Sequence, residues 1–372
     1  MKNAEAGSIT KIIAAVIIGV MLIFMIGIVA NGWQNDLDSD NSGDVGVKND
    51  DADNINGDTV EGGTADNITQ TQKPSIPKIV SYLTGLEIDV DMENRLPYAF
   101  VVEPNAPIYG ISNSELTIEI PIENGNTRFV VFNTDTSALG KIGALAHTRN
   151  YISTISDFFG GIQVAYGNDD IISYSSSPTT LHIDFSKNLK YAYKENGKNI
   201  YTDKDNLQAI ASIEGIDNES YKKQNMPFAF CEYYDSVSGN TAAQSILIPY
   251  SDSNSTQLVY DSQTSCYLLQ KSGKYKVDML DGKTASYKNV FILFSDMITY
   301  ELSSGTETIV DVTSGGSGYY ISDGRLTEIR WSVDENNNLI FEYLSGEQLV
   351  VNRGNSYIGF SKSSELDSVI FE

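Results

Sequence analysis

Leu116-Thr-Ile-Glu-Ile-Pro-Ile-Glu-Asn-Gly-Asn-Thr-Arg-Phe-Val-Val-Phe132 is the stretch on which the reading of this chain turns. Leu116, Ile118, Ile120 and Ile122 alternate with Thr117, Glu119 and Pro121, the two-residue period of a half-buried strand. Asn124-Gly125 tolerates the positive φ of a tight hairpin, so Phe129-Val-Val-Phe132 reads as the returning strand and Glu123 and Arg128 meet at the hairpin end. Upstream, residues 96–102 read as a buried strand, and Pro104 and Pro107 keep the following loop irregular because they lack donors. Downstream, Thr148 is the expected N-cap of a helix over residues 149–159, with Ile152, Ile155 and Phe159 on one face and Gly160-Gly161 ending it. A strand over 162–166 follows, and a second helix is expected over 204–213, where Leu207, Ile210 and Ala211 share a face. Residues 77–230 thus read as an α+β domain, a mixed sheet with one or two helices.

Beyond about residue 230 the apolar segments are short and alternating, from 245–249, 257–260, 267–270 and 274–279 through 290–294, 318–321, 328–333, 339–343 and 356–360. Ser272-Gly273, Asp281-Gly282, Asp323-Gly324 and Ser345-Gly346 separate them as turns, which predicts a β-rich antiparallel C-terminal domain over 231–372.

At the other end, residues 12–30 carry no charge and no proline, and as a helix they would reach about 28 Å against a hydrocarbon core of about 30 Å. Lys2 and Lys11 precede this run while Asp36, Asp38 and Asp40 follow it. The expectation is a cytoplasmic tail (1–11), one transmembrane helix (12–30) and a single-pass cell-membrane location with the bulk of the chain extracytoplasmic. A signal peptide cleaved near Ala30 is the alternative. Residues 31–76 are an acidic linker too poor in apolar side chains to order itself. Asp36-x-Asp38-x-Asp40 resembles the start of a calcium loop, but Asn41 stands where such a loop needs Gly and Val47 where it needs Glu.

The net charge of −24 and the presence of only six arginines argue against nucleic acid, whose phosphates require clustered Lys and Arg. Cys231 and Cys266 are either bridged outside the cell or two separate small buried side chains. The two histidines, His147 and His182, lie near no Gly-x-Ser-x-Gly elbow and have no zinc-ligand spacing. Gly315-Gly316-Ser317-Gly318 leads into strand residues rather than the helix start that cradles phosphate. No metal or cofactor site is therefore expected. Glu119 and Glu123 face one side of a strand with Cα atoms about 13 Å apart, beyond the roughly 5–9.5 Å between the carboxyls of a glycosidase. Glu103 from another strand would be needed as a partner. Arg149 and His147 flank the expected helix start, where free N–H groups favour a carboxylate or phosphate, and Arg128 joins them as a second guanidinium for the same anion. Against that stands an internal network, with Arg128 paired to Glu119 or Glu123 and Arg149 to Asp157 or Asp278.

Glu119, Glu123, Gly125, Thr127 and Arg128, followed by Ile142, Gly143 and Arg149, make this chain resemble the YerB-like family of bacterial extracytoplasmic lipoproteins. The similarity resumes at Asn199-Ile-Tyr-Thr202, from Tyr267 to Asp278, at Asn289-Val290 and from Gly316 to Trp331. Ala144, Ala146, His147, Asn150 and Lys198 depart from the family pattern, and no Cys ends the apolar run to carry a lipid. The resemblance implies fold and location more than activity, since the family has no settled biochemistry. It also implies that Asn199 and Asp278 line the same cleft as Arg128, Arg149, Glu119, Glu123 and His147. The expected function is a membrane-anchored envelope accessory or binding module for an anionic wall fragment, a peptide or a partner protein. The alternative is a hydrolase that attacks a wall polymer with carboxylates.

Overall fold

Apolar strands covered on both faces form the centre of the structure, a computed structural model that describes residues 79–167, 181–218, 227–231, 241–302 and 305–372. β1 (Tyr98–Val102), β2 (Leu116–Pro121), β3 (Thr127–Asn133) and β4 (Ile142–Leu145) come first. β2 and β3 make the expected hairpin, Pro121 opposite Thr127, through Asn124 at φ 60° and Gly125 at φ 67°. Helix α1 (Asn150–Phe158) has Arg149 rather than Thr148 as its N-cap, and the Thr148 hydroxyl donates to the Arg149 carbonyl instead. Its last carbonyls are closed by Gly160 N–H to Asp157 O and Gly161 N–H to Ser156 O, with Gly160 at φ 64°. Strands β5 (Ile162–Ala165), β6 (His182–Asp184), β7 (Tyr193–Glu195) and β8 (Asn199–Thr202) follow. Helix α2 (Lys204–Ile213) is capped by Asp203, whose side chain accepts from Asn206 N–H.

The remaining chain is strands: β9 (Ala229–Phe230), β10 (Thr241–Ala242), β11 (Ser245–Ser251), β12 (Asn254–Asp261), β13 (Cys266–Lys271), β14 (Lys274–Tyr275) and β15 (Ser286–Tyr287). Then come β16 (Asn289–Ser295), β17 (Met297–Leu302), β18 (Gly305–Val310), β19 (Gly316–Ser322) and β20 (Arg325–Val333). The last are β21 (Leu339–Tyr343), β22 (Val350–Val351), β23 (Ser356–Lys362) and β24 (Ile370–Phe371). A 14-stranded sheet runs in the order β10-β20-β19-β16-β23-β2-β3-β1-β4-β8-β7, with β21 on β20, β5 on β1 and β6 on β5. Six strands, β14-β13-β12-β11-β24 with β15 on β13, form a second sheet.

The centre of the large sheet is mixed. β23 pairs parallel with both β2 and β16, so strands from either side of residue 230 share one sheet. Alternate side chains of its inner strands serve two hydrophobic layers. Tyr98, Phe100, Phe129, Val131, Ile292 and Tyr357 meet α2 and β11–β13, whereas Ala99, Val101, Ile118, Val130, Phe291 and Ile358 meet α1. Because both faces are covered, β2 is not the half-buried strand its alternation suggested: Thr117 and Glu119 are fully buried.

Three expectations are corrected. The fold is mostly β rather than α+β followed by an antiparallel β domain, for the two described α-helices have only 9 and 10 residues and the C-terminal strands enter the main sheet through parallel pairing. Among the described residues no helix is long and apolar enough to cross a membrane, which removes the support for the transmembrane helix. Helices of this length reach only about 15 Å, half of a hydrocarbon core. The single-pass, extracytoplasmic location rested on that helix and falls with it. The stretch 12–30 and the acidic linker with its calcium-like triad lie outside the described residues. All described residues belong to one compact unit, Gln72–Glu372.

Candidate functional site

Strand β3 carries Arg128 to the mouth of a cleft of about 500 Å³ whose lining includes Glu103, Arg128, Ala144, His147, Lys198 and Asn199. Glu103 follows β1, His147 follows β4 and Asn199 opens β8, so the cleft is made by the ends of neighbouring strands. Arg128 Nη1 donates to Glu103 Oε2 at 2.8 Å and to Thr127 O at 3.1 Å, and Nε donates to His147 O at 3.4 Å. The Arg128 side chain is 13% exposed and that of Glu103 36%. Burial and the neighbouring Arg149 charge pull the Arg128 guanidinium below its usual range, while Glu103 opposes them. His147, an exposed residue of the lining, has its ring partly covered, and this partial desolvation with the charges of Arg149 and Arg128 lowers its pKa against the pull of Asp184.

The other arginine is committed. Arg149 donates to Glu123 through Nε at 2.8 Å and Nη2 at 2.5 Å, and to Thr148 O through Nη1 at 2.7 Å. Both side chains are about seven-eighths buried, at 15% and 13% exposure. Burial alone would raise the Glu123 carboxyl, but hydrogen bonds from Arg149 and its own backbone, with the Arg149 charge, hold it below the usual carboxylate range. The β17–β18 hairpin closes over this turn, where Thr306 Oγ1 donates to Asn124 Oδ1 at 2.7 Å. The two arginines therefore feel each other's charge but pair with different acids, and neither pairing is one the sequence suggested.

Glu119 and Asp278 lie elsewhere, in the interior. Glu119 accepts from the hydroxyls of Thr127, Thr256 and Tyr357, each at 2.6 Å, and from Lys271 Nζ. Asp278 accepts from the N–H groups of Gly110, Ser112 and Leu280 and from Ser112 Oγ. Of the residues singled out in the sequence, Arg128, His147 and Asn199 line the cleft. Glu123 and Arg149 form a closed pair beside it, and Glu119 and Asp278 hold the two halves of the chain together. Neither Glu119 nor Glu123 is open to a substrate.

Sequence reading missed Lys271, although a signal existed: it shares the inward parity of Tyr267 and Leu269 on β13. It also missed Lys276, which reaches under the cleft loop to donate to the carbonyls of Pro104 and, at 2.7 Å, Ala106. Burial pushes the Lys276 ammonium down to about 8. An unfolded lysine keeps its proton to about pH 10.4. Between pH 8 and 10 the unfolded chain therefore binds more protons than the folded one, and stability rises with pH, by up to about 3 kcal/mol. Above pH 10 buried tyrosines such as Tyr151 and Tyr287, held protonated by burial, reverse the slope. Urea midpoints between pH 7.5 and 9.5 are expected to climb in the parent protein and to flatten in Lys276→Met. Parallel slopes in the two proteins would show that Lys276 is not the group responsible.

Cys231 and Cys266 are both free, which settles the question of a bridge between them. Among the described residues no cluster of three or more His, Cys, Asp or Glu could hold a metal ion.

Two family models match the chain: the N-terminal domain of the protein of unknown function DUF3048 over residues 83–217 and its C-terminal domain over 246–358. The crystal structure of the YerB protein from Bacillus subtilis superposes with a TM-score of 0.68 at 22% identity, covering 79% of this chain and 100% of that one. No curated protein matches the chain. Both halves of the family pattern are present in order, and the solved fold is shared along its full length. The chain belongs to the YerB-like DUF3048 family, whose biochemical function is unknown.

Proposed function

We propose that this protein is a binding module, and that it takes the carboxylate or other anionic group of a peptide or cell-wall fragment in the cleft of Arg128, His147, Lys198 and Asn199. One observation carries the reading: Arg128 is fixed at the wall of an open cleft, Glu103, the one acid paired with it among the described residues, is more than a third exposed, and the exposed His147 beside it sits in a positive field. An arriving anion would meet a guanidinium already oriented from Thr127 O and His147 O, which reduces the ordering needed on binding. The hydrolase alternative has no such support, because Glu119 and Glu123 are both occupied in the fold.

Co-sedimentation of the protein with purified wall material, with soluble sugars and peptides followed in the supernatant, tests the reading. Binding without release is expected, weakened about 10- to 100-fold in Arg128→Ala, the loss of one charged hydrogen-bonding partner. The His147 pKa, followed by NMR, is expected to rise on addition of a muramyl peptide, since an anion offsets the arginine charges that depress it. Release of soluble fragments, or unchanged binding by the folded variant, would overturn the proposal.

A further inference from the structure

A second cleft, of about 750 Å³, shares no lining residue with the first. Its floor is the N-terminal edge of three adjacent strands: Glu115 precedes β2, Asn355 precedes β23 and Lys288 precedes β16. The backbone there is locked, with Ser356 N–H on Glu115 O, Asn289 N–H on Asn355 O, and Asn355 Nδ2 donating to the carbonyls of Ser114 and Ser286. Such a floor is preorganised.

The acids in this cleft are already satisfied. Glu115 accepts from Ser81 Oγ at 3.0 Å and from Thr134 N–H at 2.8 Å. Asp323 accepts from Lys288 Nζ and from Asn352 Nδ2 at 3.2 Å, and Glu87 is engaged too. Arg353 differs. Its Nε donates to Cys231 O at 2.9 Å, which fixes the plane of the group, yet Nη1 and Nη2 have no partner among the described residues. Unspent hydrogen-bonding capacity in the cleft is therefore donor capacity, on a half-buried guanidinium with Lys288 in the same lining. Leu86, 44% exposed, and Ile88 add an apolar wall that suits the carbon skeleton of a small organic ion.

We propose that this cleft is a second ligand site, which holds an oxyanion, a carboxylate or a phosphate borne on a small organic molecule, between the two terminal nitrogens of Arg353 and the Lys288 ammonium. It is independent of the Arg128 cleft. The fork of a guanidinium matches either oxyanion in paired hydrogen bonds, which a lysine at the same position would not reproduce.

Calorimetric titration of the full chain at low ionic strength with phenyl phosphate and, separately, benzoate tests the assignment and tells the two anions apart. In an Arg128→Ala background, which removes any contribution of the first cleft, saturable binding of at least one probe is expected, weakened about 10- to 100-fold when Arg353→Ala is added and less when Arg353→Lys is added. Since Arg353 also ties down Cys231 O, Lys288→Met serves as a second variant, and urea midpoints confirm that each protein is folded. Absence of saturable binding with both probes in the Arg128→Ala background, or affinity there indifferent to both Arg353→Ala and Lys288→Met, would overturn the proposal.

Discussion

Alanine in place of Glu119 is expected to lower the free energy of unfolding by about 3–5 kcal/mol, because it leaves Lys271 as an uncompensated charge inside the protein. Glu119 is 0% exposed and the Lys271 side chain 3%. The carboxylate is ringed by donors from four strands: Thr127 on β3, Thr256 on β12, Lys271 on β13 and Tyr357 on β23. Burial, with the Glu119 charge, keeps the Tyr357 hydroxyl protonated far above its usual range, so it remains a donor. The pair joins the two sheets, and replacing both ions is far less harmful than removing one. Glu119→Leu combined with Lys271→Met is expected to recover at least about 2 kcal/mol relative to the sum of the single changes. Urea unfolding of Glu119→Ala, and of the cycle made by the parent, Glu119→Leu, Lys271→Met and the double variant, measures this directly. A single-mutant loss under about 1 kcal/mol, or strict additivity, would mean that the ion pair does not hold the sheets together. A hydrolase that used Glu119 as its acid would instead keep its stability and lose only turnover.

Asp278→Ala is expected to cost roughly 3–4 kcal/mol, because three backbone N–H groups in a buried setting lose their acceptor at about 1–3 kcal/mol each, partly relieved by water. Asp278 is 0% exposed and accepts from Gly110 N–H at 3.0 Å, Ser112 N–H at 2.8 Å and Leu280 N–H at 2.7 Å. Gly110 and Ser112 end the loop whose Ala106 and Pro107 line the first cleft. Losing this anchor should therefore speed amide exchange at Gly110 and Ser112 and weaken ligand binding at a residue far from the ligand. Asp278→Asn keeps one acceptor oxygen and should fall about midway. Exchange at Gly110 and Ser112 as slow in Asp278→Ala as in the parent would refute the role assigned to this carboxylate.

Several features of the fold could be read from short stretches. The β2–β3 hairpin follows from Asn124-Gly125 between two apolar runs, α2 falls on residues 204–213 behind its Asp203 cap, and each C-terminal segment expected as a strand contains one, though residues 274–279 pair as a strand only over β14. The polar positions of β2 misled for a physical reason. Alternation reports that the two faces of a strand differ, and solvent is the usual cause of the difference. Here the second face meets another sheet through a polar network, so Thr117 and Glu119 read as solvent-facing while being as fully enclosed as Leu116, Ile118 and Ile120. The arginines misled in the opposite way. Their scarcity on a chain of charge −24 drew attention to Arg128 and Arg149 together, yet a closed pair with Glu123 takes Arg149 out of the cleft and leaves Arg128 at its wall.

By itself, the sequence determined what interactions within a few residues decide: strand period, turn chemistry, helix caps, the excess of acid and the scarcity of Arg, His and Cys. Tertiary structure alone decided which strands are neighbours and which charges meet. β23 lies parallel between β2 and β16, Glu119 finds Lys271 across 152 residues and Tyr357 across 238, and Gly110 finds Asp278 across 168. Strand period states that a residue faces inward without naming what it faces, and an ion pair leaves no mark on the residues adjacent to either partner. Only closing those long loops, at an entropic cost repaid by the whole buried core, brings the partners within hydrogen-bonding distance.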